Sequence, residues 1–127
     1  MCEILFRGKR IDNGEWAEGY YFAKAILEKY FIQFGEEQWM VDPSTIGQYT
    51  GLTDKNGTKI FEGDIVKALQ NRIQDECRVG YENGAFVLYP QNGKIYERTL
   101  WEYWYNDWDV KVIGNIHDNP EKEKGRD

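Results

Sequence analysis

The chain has 127 residues, a formal charge of -6 at pH 7 and 16% aromatic residues, among them five Trp, nine Tyr and six Phe. That length fits one domain of ordinary size, or two very small ones sharing a surface. The aromatics exclude a disordered chain despite a mean hydropathy of -0.74, the acidity excludes a general basic nucleic-acid footprint, and two Cys exclude a disulfide-rich scaffold.

Met1 to Arg10 shows no basic segment followed by an apolar run of signal-peptide length. Elsewhere the apolar runs reach about four or five residues, against about 20 for a bilayer span. Cys2 and Cys77 lie far apart without C-x-x-C spacing, so both read as reduced thiols and the cytoplasm is the expected compartment.

Four Asn-Gly pairs punctuate the chain: Asn13-Gly14, Asn56-Gly57, Asn83-Gly84 and Asn92-Gly93. Each offers two successive residues tolerant of positive φ, which a type I′ hairpin turn requires. After the first pair, Glu15 to Phe22 reads as a strand. Ala23 to Tyr30 contains good helix formers, but eight residues without a clear N-cap make a marginal helix. A hairpin arm or a single helical turn is expected there. Next, Gly51 permits a bend, Asp54 to Gly57 a tight turn, and Ile60 and Phe61 return the chain to a core. Glu62-Gly63-Asp64 turns into a strand containing Ile65, Val66 and Leu69, with the Asp placed to bond the turn amides. Such a Gly-Asp-Ile-Val segment is common where small SH3-like barrels begin.

Around the third pair, Val79 and Tyr81 alternate before the turn and Phe86 and Leu88 after it, a period of two on both arms. Leu100 to Trp108 fits two patterns. Trp101, Trp104, Tyr105 and Trp108 match a helical stripe, while Trp101, Tyr103 and Tyr105 match a strand. The Asn106-Asp107 turn favours strand and hairpin. Val110, Val112 and Ile113 form a late strand, and the chain frays beyond Pro120. The fold class is therefore mostly β, built of short antiparallel strands and hairpins. The best seam, near Glu62-Gly63, divides an N-terminal β subdomain with a turn-rich connecting segment (1–62) from a C-terminal β subdomain (63–117) and a flexible tail (118–127).

The stretch from Ile46-Gly-Gln-Tyr49 through Thr50-Gly-Leu-Thr-Asp54 to Phe61-Glu-Gly-Asp-Ile-Val66 resembles the signature of the YopX family, small proteins of bacteriophages and prophages. Phe6-Arg7-Gly8-Lys9, Asn13-Gly-Glu-Trp16 and Glu18-Gly19 resemble its opening block, and Val41-Asp42-Pro43 sits where the family places it. Val112-Ile-Gly-Asn115 with Ile116-His-Asp-Asn-Pro120 resembles its closing block. The resemblance implies a phage or prophage origin and an all-β architecture, with an SH3-like small barrel in the C-terminal half. It implies no enzymatic activity. The loop from Asn71 to Asp75 and the segment 101–108 match none of the blocks.

No constellation supports catalysis. His117 is the only His and lies between Ile116 and Asp118 near the tail, whereas a nucleophilic relay needs a base held by an orienting acid. There is no Cys/His set with zinc spacing, and Asp54 to Gly57 is only a fragment of a calcium loop. Glu36-Glu37 and Asp75-Glu76 read as solvated loop charges, and Glu62 with Asp64 as turn residues. Gly47, Gly51, Gly57 and Gly63 follow no phosphate-cradling fingerprint. Catalytic, cofactor-binding and metal-binding residues are thus all expected to be absent.

Most aromatics fit a core. The surplus at Trp101, Tyr103, Trp104, Tyr105 and Trp108 is the candidate protein-interaction site, since Trp and Tyr are enriched in interfaces. The expectation is a non-enzymatic interaction module that forms homo-oligomers and uses no cofactor, membrane or nucleic acid. Two alternatives stand beside it. One is an SH3-like nucleic-acid-binding module using a local patch at Arg7, Lys9 and Arg10, and the other an acidic decoy for a host nucleic-acid-binding protein.

Overall fold

The computed structural model describes residues 4–70, 73–82, 84–90, 98–99 and 109–119. The chain divides into two units, Met1–Gly51 and Leu52–Asp127. Both are antiparallel β structures, as the turn-rich, β-branched and aromatic sequence predicts.

The first unit contains β1 (Phe6–Lys9), β2 (Trp16–Lys24), β3 (Lys29–Phe34), β4 (Glu37–Met40) and the start of β5 (Gly47–Thr53), in the order β4-β3-β2-β1-β5. The segment in doubt between Ala23 and Tyr30 is a hairpin with a single 3-10 turn, Ala25–Leu27, at its tip. Glu28 closes that turn with φ 53. After β1 the chain also bonds to the end of β4: Ile11 N–H donates to the Met40 carbonyl (3.0 Å) and Asp42 N–H to that of Lys9 (2.9 Å). Ala17, Ile32 and Val41 form the buried centre, with Phe6, Tyr30, Trp39 and Ile46 packed around them. Register puts Phe6 opposite Gly19 and Ile32 opposite both Tyr21 and Trp39. Those residues therefore share the inner face, because paired residues project to one side of a sheet.

The second unit contains the end of β5, then β6 (Lys59–Phe61), β7 (Asp64–Gln70), β8 (Ile73–Glu82), β9 (Ala85–Pro90), β10 (Arg98–Thr99) and β11 (Asp109–Asn115). Five of these strands form a sheet in the order β10-β9-β8-β7-β11. Among the described residues no pairing closes it into a barrel. Val79 lies opposite Leu88 and Tyr81 opposite Phe86, in agreement with the alternation of both arms. The core is Ile60, Val66, Ala68, Cys77, Val79, Leu88 and Val110, none more than 2% exposed, and each of the large aliphatics contributes roughly 1.5–3 kcal/mol by burial.

Two of the Asn-Gly turns differ from the type I′ expectation. Gly14 and Gly57 have φ of 74 and 83, but among the described residues Glu28 is the only non-glycine with positive φ, so Asn13 and Asn56 do not adopt it. Both loops are longer than two residues. Gly57 N–H donates to the Asp54 carbonyl (3.0 Å) and Asp54 N–H to that of Thr58 (2.8 Å), a type I turn followed by a left-handed glycine. Similarly, Gly14 N–H reaches the Arg10 carbonyl at 2.9 Å, and Arg10 N–H that of Glu15 at 2.8 Å. A longer loop recovers the strand twist with one glycine, so the Asn need not leave its ordinary conformation. Of the other two pairs, Asn83 and Asn92-Gly93 lie outside the described residues.

Candidate interaction surface

The polar residues of the quoted blocks form turn-locking hydrogen bonds. Asp54 is 5% exposed, and its Oδ1 accepts N–H bonds from Asn56 and Thr58, both at 2.9 Å. Its Oδ2 accepts from Val112 N–H in β11 at 3.0 Å. Burial pushes this carboxyl up, but the backbone donors of Val112, Thr58 and Asn56, together with the charge of Lys111, outweigh it and hold the group below its ordinary value. Asp64, 1% exposed, accepts from Phe61 N–H at 2.8 Å, the turn-amide role its position predicts.

Asn115 orders the closing block. Its Oδ1 accepts from His117 N–H (3.0 Å) and Asp118 N–H (2.8 Å), and its Nδ2 donates to Asp118 Oδ2 (3.0 Å). Asn119 Oδ1 in turn accepts from Asn115 N–H at 3.2 Å. In the first unit, Asp42 Oδ1 accepts from both Ser44 N–H (3.0 Å) and Ser44 Oγ (2.9 Å), and Lys9 N–H donates to Thr45 Oγ1 (2.8 Å). Among the described residues no group of three or more His, Cys, Asp or Glu is placed to hold a metal ion. Among them, too, no helix is long and apolar enough to cross a membrane.

The five aromatics singled out in the sequence, Trp101, Tyr103, Trp104, Tyr105 and Trp108, lie outside the described residues. The structure points to a different surface in the first unit, the outer face of β2, β3 and β4. Phe22 lies opposite Phe31, and Phe31 opposite Met40, forming one row across three strands. The Phe22 and Phe31 rings stack with centroids 5.1 Å apart and planes 13° from parallel. In the next row Tyr20, 67% exposed, lies opposite Gln33, which lies opposite Gln38. Towards the hairpin tip Lys24 faces Lys29, beyond which Ile26 is 98% exposed. Sequence reasoning missed this face, although a signal existed. Tyr20-Tyr21-Phe22 and Tyr30-Phe31-Ile32 are apolar at consecutive positions, so both faces of the hairpin are apolar while only one is covered by its own core.

The cations of the Arg7, Lys9 and Arg10 patch are divided between faces. Arg7 lies over the Trp16 ring at 4.4 Å, with Lys9 Nζ at 5.4 Å from the same ring. Arg10 pairs with Val41 on the inner side, 5.7 Å from Trp39, and its Nη2 bonds Asp12 at 2.7 Å. That hydrogen bond, with the Arg10 charge, holds the exposed Asp12 carboxyl below its usual range.

Comparison with protein families matches residues 6–122 to the family described as YopX protein. The chain belongs to the YopX family. No curated protein matches it. Among solved structures it resembles protein EF1440 from Enterococcus faecalis, with a TM-score of 0.55 and 23% identity over 95% of this chain and 98% of that one. At that identity the likeness shows the fold alone. In this YopX chain, the quoted central and closing blocks supply the turn-locking Asp54, Asp64 and Asn115, and Thr45 stands just before the central block.

Proposed function

We propose that this YopX-family protein is a non-enzymatic, phage- or prophage-encoded interaction module acting in the bacterial cytoplasm, and that its first unit binds protein through the outer face of β2–β4. The observation that carries the reading is the row Phe22–Phe31–Met40, half-buried at the two Phe and exposed at Met40, on a sheet whose opposite face already holds the core. Non-enzymatic action is supported by the engagement of Asp54, Asp64 and Asn115 in backbone bonds that fix turns rather than converge on a cavity. The aromatic segment 101–108 is a second candidate contact, supported by its composition. The order β11-β7-β8-β9-β10 supports reading the second unit as SH3-like, since there too the last strand returns beside the first of a meander.

Nucleic-acid binding draws less support, because the Arg7/Lys9 pair and Arg10 project to opposite faces and the chain is acidic. An acidic decoy draws less as well, since the two middle rows of that face are apolar and amide rather than an array of carboxylates. The test is affinity capture from lysogenic host lysate with the full chain, with Phe31→Ser/Met40→Ser, and with Trp101→Ala/Trp104→Ala. Loss of captured protein with the first variant is expected. Equal capture by all three baits would refute a role for either surface.

A further inference from the structure

The outer face has opposite charges at its two ends. At one end Lys24 and Lys29 are direct cross-strand partners, an arrangement that is unfavourable on its own. Lys24 Nζ leans over the Phe31 ring at 5.4 Å, and among the described residues no carboxylate pairs with either lysine. At the other end stand two exposed carboxylates. Glu18 shares the outer face, opposite Arg7, and Glu36 lies in the turn between β3 and β4. Arg7 is turned onto Trp16, and among the described residues no cation pairs with Glu18 or Glu36. Between the charged ends lie the Phe22–Phe31–Met40 row and the Tyr20–Gln33–Gln38 row.

This pattern is complementary to itself. A two-fold axis running across the strands at the level of Ile32, between two copies stacked face to face, reverses strand direction and keeps each strand over its own counterpart. Lys24 then meets Glu18 of the other copy, since the two are six residues apart on β2 with the axis midway. Along β3 the same operation brings Lys29 over Gly35, beside Glu36 of the same turn, and the row of Phe22, Phe31 and Met40 meets the row of Tyr20, Gln33 and Gln38. The result has a centre of aromatic, Met and Gln side chains with a charged rim, and each copy contributes the same patch, as two-fold symmetry requires.

We propose that two copies of this chain dimerise through the outer faces of β2–β4, with Lys24 and Lys29 of each copy paired to Glu18 and Glu36 of the other. This rests on the reading of that face as a protein-binding surface and names its occupant. Three short strands cover less than the about 800 Å² per partner of a standard interface, so association depends on concentration.

Sedimentation equilibrium of the full chain between about 1 µM and 1 mM reads the constant directly. The wild type is expected to dimerise, more weakly as salt rises. Lys24→Glu/Lys29→Glu and Glu18→Lys/Glu36→Lys, all at exposed positions, should each weaken self-association about tenfold or more by placing like charges together. An equimolar mixture of the two variants should recover wild-type affinity as a mixed dimer, an outcome that a general loss of folding could not produce. A wild-type dimer indifferent to both variants, or no recovery on mixing, overturns this interface while leaving protein binding standing. A wild-type monomer throughout overturns self-association, and if the capture experiment also fails, the function reading falls with it.

Discussion

Replacing Asp54 with Ala tests whether one buried carboxylate joins the β5–β6 turn to β11. The substitution removes acceptors for Asn56, Thr58 and Val112 N–H groups at 2.9, 2.9 and 3.0 Å. Hydrogen bonds to a charged group contribute about 1.5–3 kcal/mol each, and a buried donor left unsatisfied costs about 1–3 kcal/mol. Water can reach the Asn56 and Thr58 amides, because both residues are exposed. The full cost therefore falls on Val112 N–H, and with a smaller share from the two exposed donors a loss of about 2–4 kcal/mol follows. Urea unfolding followed by far-UV circular dichroism and Trp fluorescence would measure it, as a fall in midpoint at unchanged slope. The carboxyl is held below its unfolded value, so its contribution is complete above the unfolded pKa and declines as pH falls through the folded one. The stability difference between wild type and Asp54→Ala should accordingly be constant near neutrality and shrink progressively in acid, below a pH of about 4. A difference under about 1 kcal/mol at pH 7, or one that does not narrow in acid, would refute the bridging role.

Three further outcomes follow from the geometry. Gly80→Ala should cost about 1–3 kcal/mol by overpacking, because an added Cβ meets the Tyr89 ring, which is 7% exposed and tied through its hydroxyl to Glu82 at 2.7 Å; thermal unfolding reads this as a fall in Tm. Asn115→Ala should lose about 1–2 kcal/mol, comparable to removing a capping side chain, and increase hydrogen exchange at the His117 and Asp118 amides that its Oδ1 holds. Phe31→Ser, on the outer face, should cost less stability in chemical denaturation than Ile32→Ser, whose side chain is fully buried in the first core. Equal losses would mean that the outer row is part of the core.

The sequence by itself determined the β class, the hairpins and much of the turn chemistry. Positions where only a glycine tolerates the backbone, and strands with a period of two, are local properties that depend on φ, ψ and side-chain alternation. The Val79/Leu88 and Tyr81/Phe86 pairs were legible for that reason, and so was Asp64 as the acceptor of a nearby turn amide. Turn type at Asn13 and Asn56 was not, because it depends on loop length and on hydrogen bonds that strand pairing sets. Tertiary structure alone decided that Asp54 reaches Val112, 58 positions away, and so acts as a buried bridge rather than a solvated turn residue. It also decided which apolar face of the β2–β3 hairpin meets the core. Tyr20-Tyr21-Phe22 and Tyr30-Phe31-Ile32 allow either face to be buried, and only the approach of Phe6, Val41 and Ile46 to one side leaves Phe22, Phe31 and Met40 on the other.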